Sequence, residues 1–205
     1  MPRDLVLTRF RDVVPGHRGA PTLRGDDDLN PEMRADVAGR QMVQAAVLVP
    51  LIDRSEGMTV LLTKRTDHLH DHAGQISFPG GRIDAGDTDA IAAALRETEE
   101  ETGLDRRHID LIGALDTYVT RTGFEVTPVV GLVRPGFTLS PDTFEVAEIF
   151  EVPLAFFLEP GSRRLESREW QGKRRYFYAY PYQGYYIWGA TAGMLNNLAE
   201  ILKAE

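Results

Sequence analysis

FPGGRIDAGDTDAIAAALRETEEETGL, residues 78–104, places two adjacent glycines ahead of a segment crowded with carboxylates. The periodicity of its apolar residues predicts a helix from Thr88 to Thr102. Asp87 precedes that helix as the predicted N-cap, and Gly103 follows it as the residue that ends it. The segment therefore predicts a glycine-rich turn that leads directly into an acidic helix.

The acidic residues of this helix are grouped rather than dispersed. At about 100° per residue, Glu97, Glu100 and Glu101 share a sector roughly 100° wide. Glu97 and Glu101 are i, i+4 neighbours whose carboxylates can converge, whereas Glu99 points away as a solvated charge. Like charges at this spacing repel by on the order of a few tenths of a kcal/mol, which calls for water, a basic partner or a cation. Grouped carboxylate oxygens suit a hard divalent cation such as Mg²⁺.

Neighbouring positions complete the predicted site. The predicted packed face of the helix holds Ile91, Ala94, Leu95 and Thr98. Ala93 shares the sector of the glutamates, where its small side chain would let a ligand approach. The pair Gly80–Gly81 would let the backbone approach a phosphate or offer a carbonyl to a metal. Together these features indicate metal-assisted attack of water on a phosphate chain.

Strand and helix signals mix irregularly along the rest of the chain. The predicted strands are residues 45–51, 59–63, 109–118, 126–133, 145–152, 174–180 and 185–188, and residues 64–77 are predicted to form a loop. The predicted further helices are residues 154–158 and 191–203. This mixture favours an α+β fold, with a mixed sheet sandwiched by helices, over a repeating βαβ fold.

The chain is predicted to divide at residue 40. Residues 1–40 are polar, rich in turn-forming residues and too poor in apolar residues for a core of their own, so we expect an N-terminal arm or lid. Asn30 and Pro31 are predicted to open a short helix within it. Residues 41–205 would form the single main domain.

Composition narrows the classes of function. A formal net charge of −8 argues against a general nucleic-acid binder, which needs a basic surface to neutralise phosphates. The absence of cysteine excludes disulfides, zinc ribbons and thiol chemistry. The longest apolar run, residues 45–52, is too short to span a membrane, and the first residues lack a secretory signal. We therefore expect a cytoplasmic protein with neither a nucleic-acid nor a membrane partner.

RETEEETGL, residues 96–104, resembles the second half of the Nudix box, R-E-U-x-E-E-x-G-U, with Thr98 in the aliphatic position. The first half departs from the usual pattern, because Asp87 replaces a glutamate and the spacing to Arg96 is one residue longer. The resemblance implies a Nudix-like α/β/α sandwich with a mixed β-sheet. It also implies that the protein hydrolyses a pyrophosphate bond.

LLTKRTDHLHDHAGQISFPGG, residues 61–81, is similar to the signature that precedes the box in the coenzyme A pyrophosphatase branch of the family. The matching residues are Leu61, Leu62, Thr63, Arg65, Gly74, Phe78, Pro79, Gly80 and Gly81. Thr66 replaces a small Ser or Ala, and His70 replaces an Arg or Lys. The resemblance covers roughly residues 40–200. It implies cleavage of coenzyme A or its derivatives to 3′,5′-ADP and 4′-phosphopantetheine.

The resemblance also implies catalytic roles for the acidic residues of the box. Glu97 and Glu101 would be the main Mg²⁺ ligands, with Mn²⁺ as the other candidate ion. Glu100 would bind a further metal or a metal-bound water. The carbonyl of Gly80 or Gly81 would complete the ligand shell.

Two further roles fall outside this set of ligands. Arg96 would hold the loop by pairing with an acid such as Asp87. Glu145 and Glu148 are both candidates for a catalytic base from outside the box, and the sequence does not choose between them. The alternative for each of these two glutamates is a surface charge.

Substrate recognition would need cations for the phosphates of coenzyme A and contacts for its adenine. The candidate basic residues are Lys64, Arg65, His70, His72 and Arg82, together with the glycine pair, and Arg65 is favoured among them. Each has a structural alternative as a solvated charge or a salt bridge. The aromatic residues between positions 176 and 188 would stack on adenine or, as is commoner, form core or dimer surface.

Other functions fit parts of the same pattern. The small-molecule substrate could be another nucleoside diphosphate derivative, such as ADP-ribose, and an isoprenoid diphosphate isomerase shares the fold. A NADH-cleaving relative is disfavoured, because the zinc-binding cysteines often found there are absent. A non-catalytic binding module is disfavoured because unused buried carboxylates are costly, and a Ca²⁺ loop lacks its D-x-D-x-D-G pattern. Dimers are common in the family, so a homodimer is also an expectation.

Overall fold

The computed structural model describes residues 1–11, 23–32, 39–68, 73–170 and 172–204, and these form β-sheets with helices packed against them. The strands are β1 Arg24–Gly25, β2 Val43–Ile52, β3 Thr59–Arg65, β4 Ile76–Ser77, β5 Gly80–Arg82, β6 Ile109–Ala114, β7 Tyr118–Val119, β8 Phe124–Val133, β9 Val146–Pro153, β10 Arg164–Trp170, β11 Lys173–Tyr182 and β12 Tyr185–Trp188. The helices are α1 Arg3–Arg11, α2 Ala90–Thr102, α3 Leu154–Leu158 and α4 Ala190–Lys203, with a 3₁₀ turn at Arg106–His108.

The main sheet is built around strands β2 and β8, which run parallel from the pair Val43–Phe124 to the pair Ile52–Val133. Strands β3 and β5 are antiparallel to β2, and β9 is antiparallel to β3, so the sheet is mixed. Alternate residues of β2 face opposite sides, and both sides are covered by helices. A strand that is buried on both faces reads as a continuous apolar run, which explains residues 45–52.

Helices cover the two faces of this sheet. Helix α2 packs on β2, β5 and β8, while α1, α3 and α4 contribute buried side chains to the core on the other face. A second, antiparallel sheet of β10, β11 and β12 follows, and its strands β11 and β12 contact α4. The predicted α+β sandwich with a mixed sheet is therefore confirmed.

Several predicted boundaries need correction. The strand predicted over residues 109–118 is two strands, β6 and β7, and the predicted loop 64–77 contains the end of β3 and all of β4. Strand β11 continues through Pro181, so the turn before β12 lies at Gln183 and Gly184. Strand β10 was not predicted, because its charged residues give no apolar alternation. Helix α3 has the predicted bounds.

The first forty residues contribute to the core. Helix α1 was not predicted, yet Val6 and Phe10 on it are fully buried and belong to the main apolar cluster. The helix predicted to open at Asn30 runs into residues 33–38, which lie outside the described residues. The division of the chain at residue 40 remains a prediction. Within the described residues, no helix has both the length and the apolar character that a membrane crossing requires.

We predict that Phe10→Ala lowers the free energy of unfolding by about 3–5 kcal/mol, because it leaves a cavity in the core. Leu5→Ala on the same helix is the control: Leu5 is 39% exposed, and its loss should change stability by about 0.5 kcal/mol or less. Urea unfolding of both variants measures the difference. Equal effects would show that α1 does not pack as described.

Candidate functional site

Helix α2 is capped at both ends by local contacts. The side chain of Asp89 accepts a hydrogen bond of 2.8 Å from a backbone N–H of the first turn, and Gly103 ends the helix with a φ of 70°. The predicted end at Gly103 is confirmed. The predicted N-cap is wrong, since the helix starts after Asp89 and the carboxylate of Asp87 is bound by Arg96 instead.

The buried face of α2 includes Ala94 and Thr98, as predicted, but it takes in Ala93 rather than Ile91. Ala93 and Ala94 are fully buried against β2 and β8, whereas Ile91 is 42% exposed. The prediction that Ala93 leaves room for a ligand is therefore wrong. Because the helix is turned further towards the sheet than expected, the glutamate sector reaches its edge, and Glu101 is only 8% exposed.

Glu101 lies against the backbone of β5. The N–H of Gly80 donates a hydrogen bond of 3.2 Å to Glu101 Oε2. Burial raises the pKa of Glu101 to about 8, although the Gly80 N–H opposes the increase. A side chain at Gly80 is excluded, because its Cβ would lie 2.4 Å from the carbonyl oxygen of Ala46 and 2.5 Å from the Cα of Val47.

Glu97 lies against the next glycine of the pair. A Cβ at Gly81 would be 2.6 Å from Glu97 Cδ and 2.7 Å from both carboxylate oxygens. Burial raises the pKa of Glu97, and its hydrogen bond from Arg96 opposes that rise. The absence of a side chain at Gly81 thus makes the space that the Glu97 carboxylate occupies.

Arg96 binds several acceptors around this pair of carboxylates. Its Nε and Nη2 donate to the two oxygens of Asp87 at 3.0 and 2.9 Å, so the predicted pairing with Asp87 is present. Its Nη1 donates to Glu97 at 2.8 Å and to Glu100 at 3.0 Å. Nη2 also donates to the carbonyl oxygen of Arg82 at 3.2 Å. Arg96 therefore joins the helix to the loop before it and compensates part of the acidic charge.

The other two glutamates of the box are more exposed. The side chain of Glu100 is 62% exposed and contacts Arg96. Glu99 was predicted to be a solvated charge pointing away from the site, and it forms a salt bridge of 3.1 Å with Arg106 instead. The acidic run is thus divided into one buried carboxylate, Glu101, one half-buried carboxylate, Glu97, one exposed neighbour and one separate ion pair.

The loop that precedes β9 is attached to the end of α2. The N–H of Asp142 donates to the carbonyl oxygen of Glu101 at 3.0 Å, and the N–H of Ser140 donates to that of Thr102 at 2.8 Å. A Cβ at Gly103 would approach Ser140 N to 2.9 Å, so this glycine also permits the close approach of the loop.

The same loop is attached to the end of β3, and it carries Glu145. Thr66 donates from its N–H to the carbonyl oxygen of Glu145 at 3.0 Å, and from its hydroxyl to that of Phe144 at 2.9 Å. The charge of Glu145 lies close enough to contribute to the raised pKa of Glu97 and Glu101, after burial. Backbone hydrogen bonds therefore attach the segment that carries Glu145 both to the end of α2 and to the end of β3.

Glu148 has different surroundings. Its carboxylate accepts a hydrogen bond of 2.5 Å from the hydroxyl of Tyr185 on β12. The Tyr185 ring stacks on Phe150 with centroids 3.8 Å apart, and Lys64 lies opposite Glu148 in the pairing of β3 and β9. Glu148 and Lys64 therefore lie beside β12, and Glu148 already has a hydrogen-bond donor.

The predicted basic residues are unequally placed. Arg65 is 31% exposed and its Nη1 lies 3.8 Å from Glu145. Its Nε is buried without a hydrogen-bond partner among the described residues. Arg82 is exposed at the end of the glycine strand. His70 and His72 lie outside the described residues.

The donor chemistry suits a divalent cation, although the carboxylates are not gathered as ligands. Within the described ranges, no three His, Cys, Asp or Glu side chains are grouped closely enough to hold a metal ion. Arg96 explains this, because it binds oxygens of both Glu97 and Glu100. No salt bridge of the described residues reaches Glu101. Among the described residues, the buried carboxylate of Glu101 therefore has one N–H donor and no salt-bridge partner, unlike Glu97 and Glu100.

Three residues at this site were not predicted to contribute to it. Thr66 had been noted only as a replacement, Asp142 had no assigned role and Tyr185 was one of several aromatic residues. Each acts through a contact between segments far apart in sequence, which no local pattern reveals. For Thr66, the position directly after Arg65 in the signature was the one available signal.

The aromatic residues of β11 and β12 divide between core and surface. Tyr180 and Phe177 are 1% and 7% exposed, whereas Tyr176 and Tyr186 are each 39% exposed. The predicted core role therefore occurs in this segment, whereas the predicted dimer surface stays a prediction.

Comparisons with known proteins agree on one family. The model of the NUDIX domain family matches residues 42–171. A protein of Enterobacter sp. (strain 638), named "Uncharacterized Nudix hydrolase NudL", is 42% identical over 171 residues, which cover 83% of this chain and 88% of that protein. The protein of the same name from Escherichia coli O7:K1 is 40% identical over the same shares. Among solved structures, the Ap4A hydrolase binary complex of C. elegans matches with a TM-score of 0.48 and 20% identity, over 54% of this chain and 80% of that one.

We predict that Gly81→Ala weakens Mg²⁺ binding while it leaves the stability of the fold nearly unchanged. The new Cβ would displace the flexible Glu97 carboxylate, so Mg²⁺ affinity should fall by about tenfold or more while the unfolding free energy changes by about 1 kcal/mol or less. Gly80→Ala is the matched variant. Its Cβ would meet fixed backbone at a φ of 150°, and stability should fall by roughly 2 kcal/mol or more.

Calorimetric titration with Mg²⁺ and urea unfolding measure the two quantities. Unchanged Mg²⁺ affinity in a folded Gly81→Ala variant would show that the position of Glu97 does not matter for the ion.

Proposed function

The chain belongs to the Nudix hydrolase family and is a pyrophosphohydrolase, and from this premise we propose that it cleaves the pyrophosphate bond of coenzyme A or its derivatives. The products would be 3′,5′-ADP and 4′-phosphopantetheine. The observation that carries this proposal is the signature of residues 61–81, whose final glycines lie directly under Glu97 and Glu101. The last two residues of the signature are thus in direct contact with the carboxylates proposed to be catalytic.

Most of the signature supports the framework of the site. Leu61, Leu62 and Phe78 are buried in the core, and the hydroxyl of Thr63 lies 3.4 Å from β4 acceptors. Arg65 is the signature residue whose charge reaches the surface beside the carboxylates. We assign it to a substrate phosphate, because its buried Nε lacks a partner in the described part of the chain. Lys64 and Arg82 would attract the substrate phosphates more weakly and from a greater distance.

Nudix enzymes generally use divalent metals, and in this chain Glu97 and Glu101 would hold the ion, with Glu100 as a further ligand. Bound Mg²⁺ or Mn²⁺ supplies positive charge for the phosphate oxygens and makes water more acidic. Glu101 has the strongest need for such a charge, since it is buried and has one hydrogen-bond donor. Gly80 and Gly81 keep the two carboxylates at fixed positions against β5.

The geometry favours Glu145 over Glu148 as the base. Glu145 would take a proton from the attacking water. The oxygen of that water forms a bond to phosphorus while the bond from phosphorus to the leaving phosphate group breaks. Its side chain is 45% exposed, so water and substrate can reach it. Glu148 instead accepts the hydroxyl hydrogen of Tyr185, which makes it less available as a base.

An aromatic side chain next to the proposed base would contact the adenine. Phe144 is 64% exposed, although its backbone N–H and carbonyl are bound by Asp142 and Thr66. Its ring packs edge-on against His68, with centroids 5.0 Å apart. An exposed ring on a fixed backbone loses little entropy when a planar base stacks on it.

We predict that the protein with Mg²⁺ hydrolyses coenzyme A faster than ADP-ribose, NADH or a diadenosine polyphosphate. Chromatography of the products identifies the bond that is cleaved. Glu101→Gln, which keeps the shape of the side chain but removes its charge, should lower turnover by about a thousandfold or more. Faster cleavage of ADP-ribose would refute coenzyme A as the preferred substrate, although the reaction would still be hydrolysis of a pyrophosphate bond.

A second pair of variants tests the base. Glu145→Gln should lower kcat by about 10²- to 10⁴-fold with little change in KM, because a general base acts in the transition state. Glu148→Gln should lower kcat by about threefold or less, because it loses a peripheral hydrogen bond to Tyr185. A reversed order of the two effects would assign the base to Glu148.

A further inference from the structure

Strand β10 is an edge strand with an unusual degree of exposure. In the part of the chain that the structure describes, it pairs only with β11, at the outside of the three-stranded sheet. Six of its seven residues are exposed, and Glu166 is intermediate. Its register with β11 continues without a bulge from Arg164 to Trp170. Such an edge presents a row of backbone donors and acceptors that another strand can pair with.

The sequence of β10, RLESREW, is complementary to itself. An antiparallel copy that is centred on Ser167 places Glu166 opposite Arg168 of the second copy, and Arg168 opposite Glu166 of the second copy. The same register places Arg164 opposite Trp170 of the second copy at both ends. Opposite charges and a cation beside an aromatic ring are both favourable cross-strand neighbours.

The alternation of side chains supports this register. Residues 164, 166, 168 and 170 share one face of β10, so the two ion pairs and the two contacts of Arg164 with Trp170 lie on the same side of the joined sheet. Both residues of the ion pairs are already held on that face. The Arg168 guanidinium lies 4.2 Å from the ring centroid of Trp188 and 5.2 Å from that of Phe177. Glu166 Oε2 accepts a hydrogen bond of 2.5 Å from the hydroxyl of Tyr186, which leaves Oε1 for a second donor. A shift by one residue would place Glu166 against Ser167 and lose the ion pairs.

We propose that a second copy of this chain pairs with β10 in this antiparallel register, so that two three-stranded sheets join into one six-stranded sheet about a two-fold axis. Two observations favour this occupant. β10 carries two arginines and two glutamates, so it has no excess charge to repel its copy. Trp170 and Leu165 are 51% and 59% exposed on this hairpin, and joining the sheets would cover part of both.

The contact is small, which determines how it should behave. Seven residues on each side bury less area than a standard protein interface of about 800 Å² per partner. We therefore expect a reversible dimer with a dissociation constant on the order of micromolar. The two copies would contribute the same surface to the interface, so each substitution changes the interface at two places.

The test measures mass against protein concentration by sedimentation velocity. The protein should shift from 22.9 kDa towards twice that mass as its concentration rises. Glu166→Arg and Arg168→Glu should each weaken dimerisation by about tenfold or more, because each places like charges opposite one another. Lys203→Glu at the end of α4 is the control, since it changes an exposed charge outside the hairpin and the proposed ladder.

Mixing distinguishes lost pairing from lost folding. Glu166→Arg leaves only positive charges at the two paired positions and Arg168→Glu only negative ones, so an equimolar mixture of the two variants should form a heterodimer. The variant that carries both substitutions should dimerise with itself. A wild-type protein that stays at 22.9 kDa throughout, or two variants that fail to associate when mixed, would overturn the proposal. Mass is measured without substrate, so the outcome is independent of the proposed activity.

Discussion

The contact between the glycine strand β5 and the carboxylates of α2 is the constraint on which the site depends. Gly80 fits against the backbone of β2 and donates its N–H to Glu101, while Gly81 leaves the space that Glu97 fills. Neither contact survives a side chain at these positions without movement of backbone or carboxylate. The two glycines therefore position the acids, while Ala93 and Ala94 pack the helix on the sheet.

This contact creates an electrostatic problem that the chain solves only in part. Two half-buried or buried carboxylates lie close together, and burial raises the pKa of both. Arg96 compensates Glu97 and Glu100, but it is anchored by Asp87 and does not reach Glu101. An ionised carboxylate that is buried without a counter-ion costs free energy, so a cation beside Glu101 would be favourable. The basic partner, one of the alternatives at the level of sequence, is Arg96, and it binds Glu97 and Glu100 rather than Glu101.

Local patterns predicted those parts of the structure that depend on local physics. The end of α2 at Gly103 follows from the left-handed conformation that glycine adopts easily, and β2 follows from a run of apolar residues. The N-cap prediction was wrong, because Asp89 also precedes the helix and caps it, while Arg96 binds the carboxylate of Asp87. Helix α1 and strand β10 were missed for a related reason. One is stabilised by two buried side chains, and the other by pairing with β11 rather than by its own apolar pattern.

The choice between Glu145 and Glu148 also depended on contacts that sequence spacing cannot show. The loop before β9 binds the carbonyl oxygens of α2 at one end and Thr66 at the other, where the carbonyl oxygen of Glu145 accepts the N–H of Thr66. Glu145 is thereby tied through Asp142 to the backbone of Glu101 itself, so a shift of the helix end would move both carboxylates together. Glu148 follows inside β9, where its position is fixed by pairing with β3 and by Tyr185. Glu145 is therefore attached to the end of α2 by backbone hydrogen bonds, whereas Glu148 is held by the pairing of two strands.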